Sequence, residues 1–270
     1  MKSICLKQNL IPLDTPIIMG ILNITKTSFY DGGCYISETD VLKRVEQILE
    51  EGGTIVDLGT VSTKPNAIEI DEKDECESVK KHLKLIRSHF PNAFISLDTF
   101  RANVAEMAIE EGAAIINDIS GGMDPNMFEV VGKYKTPYIL THNNRSNPMP
   151  TNELISTMLS FFGNNIENLI DKGVKDIIID PGFGFGKTLE QNFYLLNQLE
   201  TFTILNLPIL AGISRKSMIQ DVLHITSAES LTGTVTLNTI ALEHGVTILR
   251  VHDVKECAET IKLLNLLRTL

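Results

Sequence analysis

Basic residues, cysteines and long apolar runs are all scarce in this 270-residue chain. Lysine and arginine total 24 against 34 acidic residues, a formal net charge of −10, and the pI is about 5.1. Nucleic-acid binding draws on a surplus of positive charge, so the balance argues against that partner. The four cysteines, Cys5, Cys34, Cys76 and Cys257, stand far apart with no metal-ligand spacing, and they read as free thiols in a reducing compartment. No leader segment, no run of eighteen apolar residues and no low-complexity tract is visible. These absences lead to the expectation of a soluble, cytoplasmic protein with no membrane partner. What the chain does have is length enough for one large α/β barrel or two ordinary domains, and a 43% hydrophobic content that can fill a sizeable core.

The apolar residues are strongly patterned. Short runs fall at about 17–22, 54–57, 94–97, 113–116, 137–140, 176–179, 207–211 and 246–250. Helical periodicity fills the gaps, at about 38–51, 73–88, 101–111, 125–133, 151–171, 188–199, 228–243 and 254–267. Regular strand–helix alternation implies a parallel sheet. The odd-numbered runs are entered through Pro16, Pro91, Pro137 and Pro208, the even-numbered ones through Gly53, Gly112, Gly173 and Gly245. Glycine suits a left-handed helix cap ahead of a strand, and proline keeps a chain extended once it has left its helix. Eight such units predict a single-domain (β/α)8 TIM barrel over 15–270, with a doubly wound open sheet as the alternative. Residues 1–14 read as a lead-in, a strand covering the barrel floor.

The strands end on polar residues: Asn23, Asp57, Asp98, Asn117-Asp118, His142, Asp180, Ser214-Arg215-Lys216 and Arg250-Val251-His252. In a barrel all these ends meet at one face, where active sites sit. Any one of them could cap a helix, but Arg250 and His252 are poor caps. The sixth end opens the segment 180-DPGFGFGKT-188. Its three glycines allow a sharp turn or a close approach to a ligand; a structural turn is the plain alternative. A nucleotide P-loop is excluded by spacing, because the required first glycine would fall on Pro181. The dinucleotide fingerprint fails too, since its third glycine would be Lys187.

Lys216, Arg250 and His252 supply positive or potentially positive groups suited to phosphate. Asp98 and Asp180 suit a heterocycle with N–H and NH2 donors, and Asn117 can both donate and accept. Asn23 could ligate Mg2+ through its amide oxygen beside substrate phosphates. No nucleophile–base pair is evident, so binding and electrostatics are favoured over covalent catalysis.

At this point the chain resembles a known family over nearly its whole length. The segments 19-MGILNIT-25, 28-SFYDGG-33, 95-ISLDTF-100, 112-GAAIINDISGG-122, 180-DPGFGFGKT-188, 213-ISRKS-217 and 250-RVHDVKE-256 are similar to those of the dihydropteroate synthases. The resemblance implies a transferase of folate biosynthesis. It would condense 6-hydroxymethyl-7,8-dihydropterin diphosphate with 4-aminobenzoate, dissociatively, and would be a sulfonamide target. It implies Asn23 as the protein ligand of Mg2+, and Asp98, Asn117, Asp180 and Lys216 around the pterin. Thr63, Arg250 and His252 would hold the diphosphate, with Arg250 serving only that anion. Phe185, Pro65, Lys64, Lys216 and Ser217 would surround the aminobenzoate. Lys216, Asp98 and Arg250 would be the catalytic groups. A homodimer through late helices is a further implication, and Ile261, Leu264 and Leu267 form an apolar stripe there, although such a stripe is commonly core.

Three stretches depart from the family pattern, and all are expected on the site rim. Thr25-Lys26-Thr27-Ser28 replaces Thr-Pro-Asp-Ser, Ser62-Thr63-Lys64-Pro65-Asn66 replaces Ser-Thr-Arg-Pro-Gly, and Thr141-His142-Asn143 replaces Met-His-Met. They predict a raised KM for 4-aminobenzoate and weaker sulfonamide inhibition with near-normal pterin affinity. A pterin-binding paralogue without turnover and a methyltetrahydrofolate-type methyltransferase are the alternatives.

Overall fold

The short apolar runs become the staves of a barrel. The computed structural model describes residues 2–24, 37–60, 70–144 and 149–269. Two antiparallel strands, β1 (Ser3–Leu6) and β2 (Asn9–Pro12), come first. The barrel strands are β3 (Ile17–Asn23), β4 (Ile55–Gly59), β5 (Phe94–Asp98), β6 (Ile115–Asp118), β7 (Tyr138–Thr141), β8 (Ile177–Asp180), β9 (Leu210–Ala211) and β10 (Ile248–Val251). Around them lie α1 (Glu38–Glu50), α2 (Glu72–His89), α3 (Ala102–Glu110), α4 (Met127–Tyr134), α5 (Leu154–Asp171), α6 (Leu189–Asn197), α7 (Ser217–Leu223), α8 (Leu231–Glu243) and α9 (Val254–Thr269). All eight barrel strands are parallel, in the order β8-β7-β6-β5-β4-β3-β10-β9, and an Ile179–Ile209 bridge returns the last to the first. This is a (β/α)8 barrel, and the open-sheet alternative falls.

Alternation along each strand builds two cores. Ile18, Val56, Ile95, Ile116, Leu140, Ile179, Ala211 and Leu249 point outward into the layer beneath the helices. Ile17, Met19, Ile55, Ile115, Ile139, Ile178, Leu210 and Ile248 point inward. At the bottom this inner cluster is joined by Ile4, Leu6 and Leu13. The floor is therefore covered by a hairpin rather than by a single strand. Its turn carries Lys7 and Gln8 at φ 46° and 67°, without the glycine or asparagine that usually marks such a turn in sequence. The hairpin is tied to the barrel by the Cys5 amide, which donates to Asp176 Oδ1 at 3.0 Å.

Three of the expected glycine entries, Gly112, Gly173 and Gly245, have φ of 94°, 92° and 91°. In the remaining one the left-handed residue is Gly52 (φ 100°), not Gly53. Gly53 is small for another reason: a Cβ there would lie 2.6 Å from Ile48 Cγ2. The seventh unit also differs from expectation. Its strand shrinks to Leu210–Ala211, and the short helix α7 precedes α8. The α9 stripe divides, with Ile261 buried and Leu264 packed on the core while Leu267 is exposed beside Leu263 and Leu266. No helix among the described residues is long and apolar enough to cross a membrane.

Candidate active site

Two residues above the apolar floor, the inward face changes character. Ile55 is followed on that face by Asp57, Ile115 by Asn117, Ile139 by Thr141, Ile178 by Asp180 and Ile248 by Arg250. The centre of this polar tier is Arg250. Its Nε donates to Asp57 Oδ2 at 2.7 Å and its Nη2 to Asp98 Oδ2 at 2.8 Å. Asn117 Nδ2 also donates to Asp57 Oδ2, at 3.3 Å. Burial works against the guanidinium charge, but Asp57 and Asp98 more than offset it and hold the group protonated. The expectation that Arg250 serves only an anion is corrected here. It neutralises two buried carboxylates before any ligand arrives, and removing one member of such a group costs about 3–5 kcal/mol. Burial, opposed by Arg250 and reinforced by Asp57, pushes the Asp98 carboxyl up to about 7.

The same tier has unused hydrogen-bonding capacity. Asp57 Oδ1, Ser96 Oγ, Asn117 Oδ1 and Thr141 Oγ1 are buried without a partner among the described residues, and their strands β4 to β7 are consecutive neighbours in the barrel. A buried polar atom left unpaired costs roughly 1–3 kcal/mol, so a concentration of four is not a feature of a fold optimised for stability alone. Thr141 is fully buried, so this departure from the family pattern lies in the barrel wall and not on the rim. Asp118, beside Asn117, faces elsewhere: it accepts from Tyr138 Oη at 2.6 Å, from the Ser120 hydroxyl and amide, and from the Gly122 amide, which makes it a loop anchor.

On the other side of the barrel, Asp180 ends β8 and accepts from the Gly182 amide at 2.7 Å. Burial raises its pKa, with Lys216 opposing. The next loop needs its glycines, since Gly182, Gly184 and Gly186 have φ of 69°, 79° and 67°. A Cβ on Gly182 would also lie 2.1 Å from the His142 carbonyl oxygen. Thr188 caps α6 through a reciprocal bond pair with Gln191. Lys187, which sequence places simply at the helix start, turns inward. Its Nζ donates to Gly182 O at 2.8 Å and His142 O at 3.2 Å, with Phe185 O at 3.5 Å. Burial, opposed by Asp180, pushes its ammonium down to about 7. Lys216 comes from the β9 exit. Its Nζ donates to Phe183 O and stands 4.8 Å from the centre of the Phe185 ring.

Ser217 is the first residue of α7, directly after Lys216. His252 is half-buried, and its backbone amide donates to Ser214 Oγ at 3.2 Å. Burial and Arg250 push its imidazole down to about 4, so at neutral pH it offers a neutral ring rather than a cation. Arg215, at φ 55°, turns away from the mouth and grips both oxygens of Asp253, at 3.0 and 2.6 Å, which links the β9 and β10 exits. Asn23 ends β3, where its Oδ1 would lie 2.8 Å from a Cβ on Gly59. Among the described residues no group of three or more His, Cys, Asp or Glu could hold a metal ion. A single amide oxygen fits only a hard cation that brings its other oxygens as water and phosphate. Thr63, Lys64, Pro65 and Asn66, with Lys26 and Thr27, lie outside the described residues.

The structure thus brings together Asp98, Asn117, Asp180, Lys216, Arg250, His252 and Phe185 around one mouth. Sequence reasoning had Asp57 as a strand end but missed its part in the site. The pairing with Arg250 spans 193 residues and has no local signature. It also missed Lys187, although its place after three glycines was a usable signal.

Comparison with known proteins adds three observations. A model described as "Pterin binding enzyme" matches residues 19–252. The chain is 41% identical over 254 residues to the dihydropteroate synthase of Clostridium beijerinckii, covering 93% of both chains. Two solved structures superpose closely. The Yersinia pestis dihydropteroate synthase, in a sulfonamide drug complex, gives a TM-score of 0.94 at 33% identity, with both chains fully covered. The Xanthomonas albilineans dihydropteroate synthase with 4-aminobenzoic acid gives 0.92 at 28% identity, covering 99% of this chain and 98% of that one.

Proposed function

The chain belongs to the pterin-binding enzyme family, on its dihydropteroate synthase branch, and we propose on that footing how its own residues carry the reaction. It joins 6-hydroxymethyl-7,8-dihydropterin diphosphate to 4-aminobenzoate, giving 7,8-dihydropteroate and diphosphate. The bond between the pterin methylene carbon and the diphosphate oxygen breaks, and its electron pair leaves with diphosphate. The aminobenzoate nitrogen then donates its lone pair to the carbon and releases a proton.

The observation that carries the assignment is the tier of buried, partly unsatisfied polar atoms above an apolar floor. A pterin is a flat ring with an N–H and amino edge, and it matches such a tier. Asp98 and Asp180 accept from that edge and Asn117 satisfies both senses of bond. Asp57, through Arg250, keeps Asp98 aimed inward. Lys216 sits between the two substrates, with Phe185 and Ser217 on the aminobenzoate side; the family resemblance adds Pro65 and Lys64, which lie outside the described residues. Arg250 and the neutral His252 receive the diphosphate, with Arg250 Nη1 turned to it, and the family resemblance adds Thr63. Lys216, Asp98 and Arg250 are the catalytic groups in this reading, which sets all three against the reacting molecules. Asn23 would hold Mg2+ through its amide oxygen, and the ion would supply positive charge against the departing diphosphate. A cytoplasmic setting agrees with three unpaired cysteines, Cys5, Cys76 and Cys257, and a homodimer would use the exposed leucines of α9.

The test is a diphosphate-release assay with both substrates and Mg2+, run beside pterin binding by calorimetry. Turnover with sulfonamide inhibition is the expected result. Tight pterin binding without turnover would instead favour the non-catalytic paralogue. A chelator should weaken the diphosphate substrate and spare the bare hydroxymethyl-pterin.

A further inference from the structure

Lys187 has no role in the chemistry above, yet it is only 8% exposed. No carboxylate among the described residues pairs with it; its Nζ faces carbonyl oxygens only, those of Gly182, His142 and Phe185. These oxygens come from two structural elements, the β7 exit and the glycine-rich loop after β8. The same two elements are joined by backbone bonds, His142 N to Asp180 O at 2.9 Å and Asn144 N to Phe185 O at 3.2 Å. A second buried side chain works from the opposite flank. Asn192, 3% exposed, accepts from the Gly184 amide at 2.7 Å and donates to Lys187 O and Thr188 O.

The halves of this loop differ. Phe183 is fully buried in the outer core, so its carbonyl is fixed by packing. Phe185 rides between Gly184 and Gly186, both left-handed, on backbone with little stiffness of its own. Its ring nevertheless stands 4.8 Å from Lys216 Nζ. The Phe185 amide donates to Gly182 O at 3.2 Å, and Lys187 Nζ bonds that same Gly182 oxygen together with His142 O, so Lys187 ties the loop that carries the ring to the β7 exit.

We propose that Lys187 is a positioning residue: by gathering the carbonyls of His142, Gly182 and Phe185 it holds the Phe185 ring against Lys216, and so controls the acceptor side of the site rather than the pterin side. The inference rests on the reading that Phe185 and Lys216 face the aminobenzoate. The Asp180 backbone has an anchor of its own, since its carbonyl accepts from the His142 amide at 2.9 Å just beyond β7.

The test compares Lys187→Met, Lys187→Gln and Asn192→Ala with the wild type, using steady-state kinetics for 4-aminobenzoate, calorimetry for the pterin, and thermal melting. Lys187→Met should raise the aminobenzoate KM roughly tenfold or more, the scale of one lost charge-assisted bond, with pterin affinity within about threefold. Lys187→Gln retains N–H donors and should fall between Met and wild type. Asn192→Ala loosens the loop from its other flank and should show the same split, which keeps the test open if Lys187→Met does not fold. Unchanged aminobenzoate KM in the variants that fold would overturn the proposal. So would equal losses for both ligands in step with melting temperature, which a purely structural role produces. Wild-type protein in the same assay separates the two levels: no turnover there removes the synthase reading, whereas turnover with unaltered variants removes Lys187 alone.

Discussion

The floor and the mouth of this barrel use the same strands, the same inward face and the same spacing, but opposite chemistry. At the floor every inward residue is apolar and is met by the hairpin residues Ile4 and Leu6. One pleat higher, the same face carries Asp57, Asn117, Thr141, Asp180 and Arg250, several of them with atoms that have no partner among the described residues. Burial at the floor stabilises the fold by about 25 cal/mol per Å2 of apolar surface removed from water. Burial at the mouth does the reverse, since desolvated carboxyls and orphan oxygens raise the energy of the ligand-free protein. The difference indicates which end limits stability and which is held ready for a ligand.

The comparison breaks most visibly at Asp180. Asp180→Ala should remove two charge-assisted bonds to the pterin, at roughly 1.5–3 kcal/mol each, and so abolish measurable binding. Melting should be little changed, because the carboxylate is held there against its own desolvation. Calorimetry with retained pterin affinity in a folded variant would refute the assignment.

Arg250→Met crosses the boundary between stability and binding. It strands Asp57 and Asp98 in the interior, so it should cost about 3–5 kcal/mol of stability and weaken both bare pterin and its diphosphate. A loss confined to the diphosphate ligand, with melting unchanged, would show that the ion pairs with Asp57 and Asp98 matter little.

The floor gives the mirror image. Ile178 is fully buried directly below Asp180, and Ile178→Ala should cost roughly 2–5 kcal/mol in chemical denaturation while pterin affinity stays within about twofold. A large fall in affinity would mean that the two ends are mechanically coupled.

The smallest effect is with pH. The Asp98 carboxyl is raised from 3.8 to about 7, so across that window the folded protein binds more protons than the unfolded chain. Its contribution to stability therefore declines as pH rises toward 7. Pterin binding should move the other way, because the N–H edge needs the ionised acceptor. Affinity should climb with pH by at most about tenfold per unit, and Asp98→Asn should flatten the climb. A flat wild-type profile between about pH 5 and 8 would contradict this.

Most of the barrel was legible because its signals are local: β-branched runs, proline and glycine entries, helical spacing. Strand ends such as Asp98, Asn117 and Asp180 were legible for the same reason, since a barrel gathers whatever ends its strands. The unread features depend on distant partners or on backbone no residue type announces. Asp57 and Arg250 meet only once the barrel closes. Lys187 looks like a solvated helix start until the glycines turn it inward. Lys7, Gln8 and Arg215 hold left-handed backbone without being glycine. Thr141 was placed on the rim as part of a strand end that departs from the family pattern, whereas strand register puts it level with Asp180 inside the wall.

The unevenness of the barrel wall has a further consequence. β3 and β4 share five registered pairs, as do β4 and β5, but among the described residues β8 meets the β9 segment only through the Ile179–Ile209 bridge and the Ile179 amide bonded to Pro208 O. Amide protons along that join should exchange with solvent sooner than those of the five-pair ladders, because opening it breaks few bonds. Asp180 lies on one bank of the join and Lys216 on the other, with the Lys216–Phe183 bond as a suture between them. A ligand held by both would close the gap chemically, so the slowing of exchange on binding should be greatest at the thinnest part of the wall.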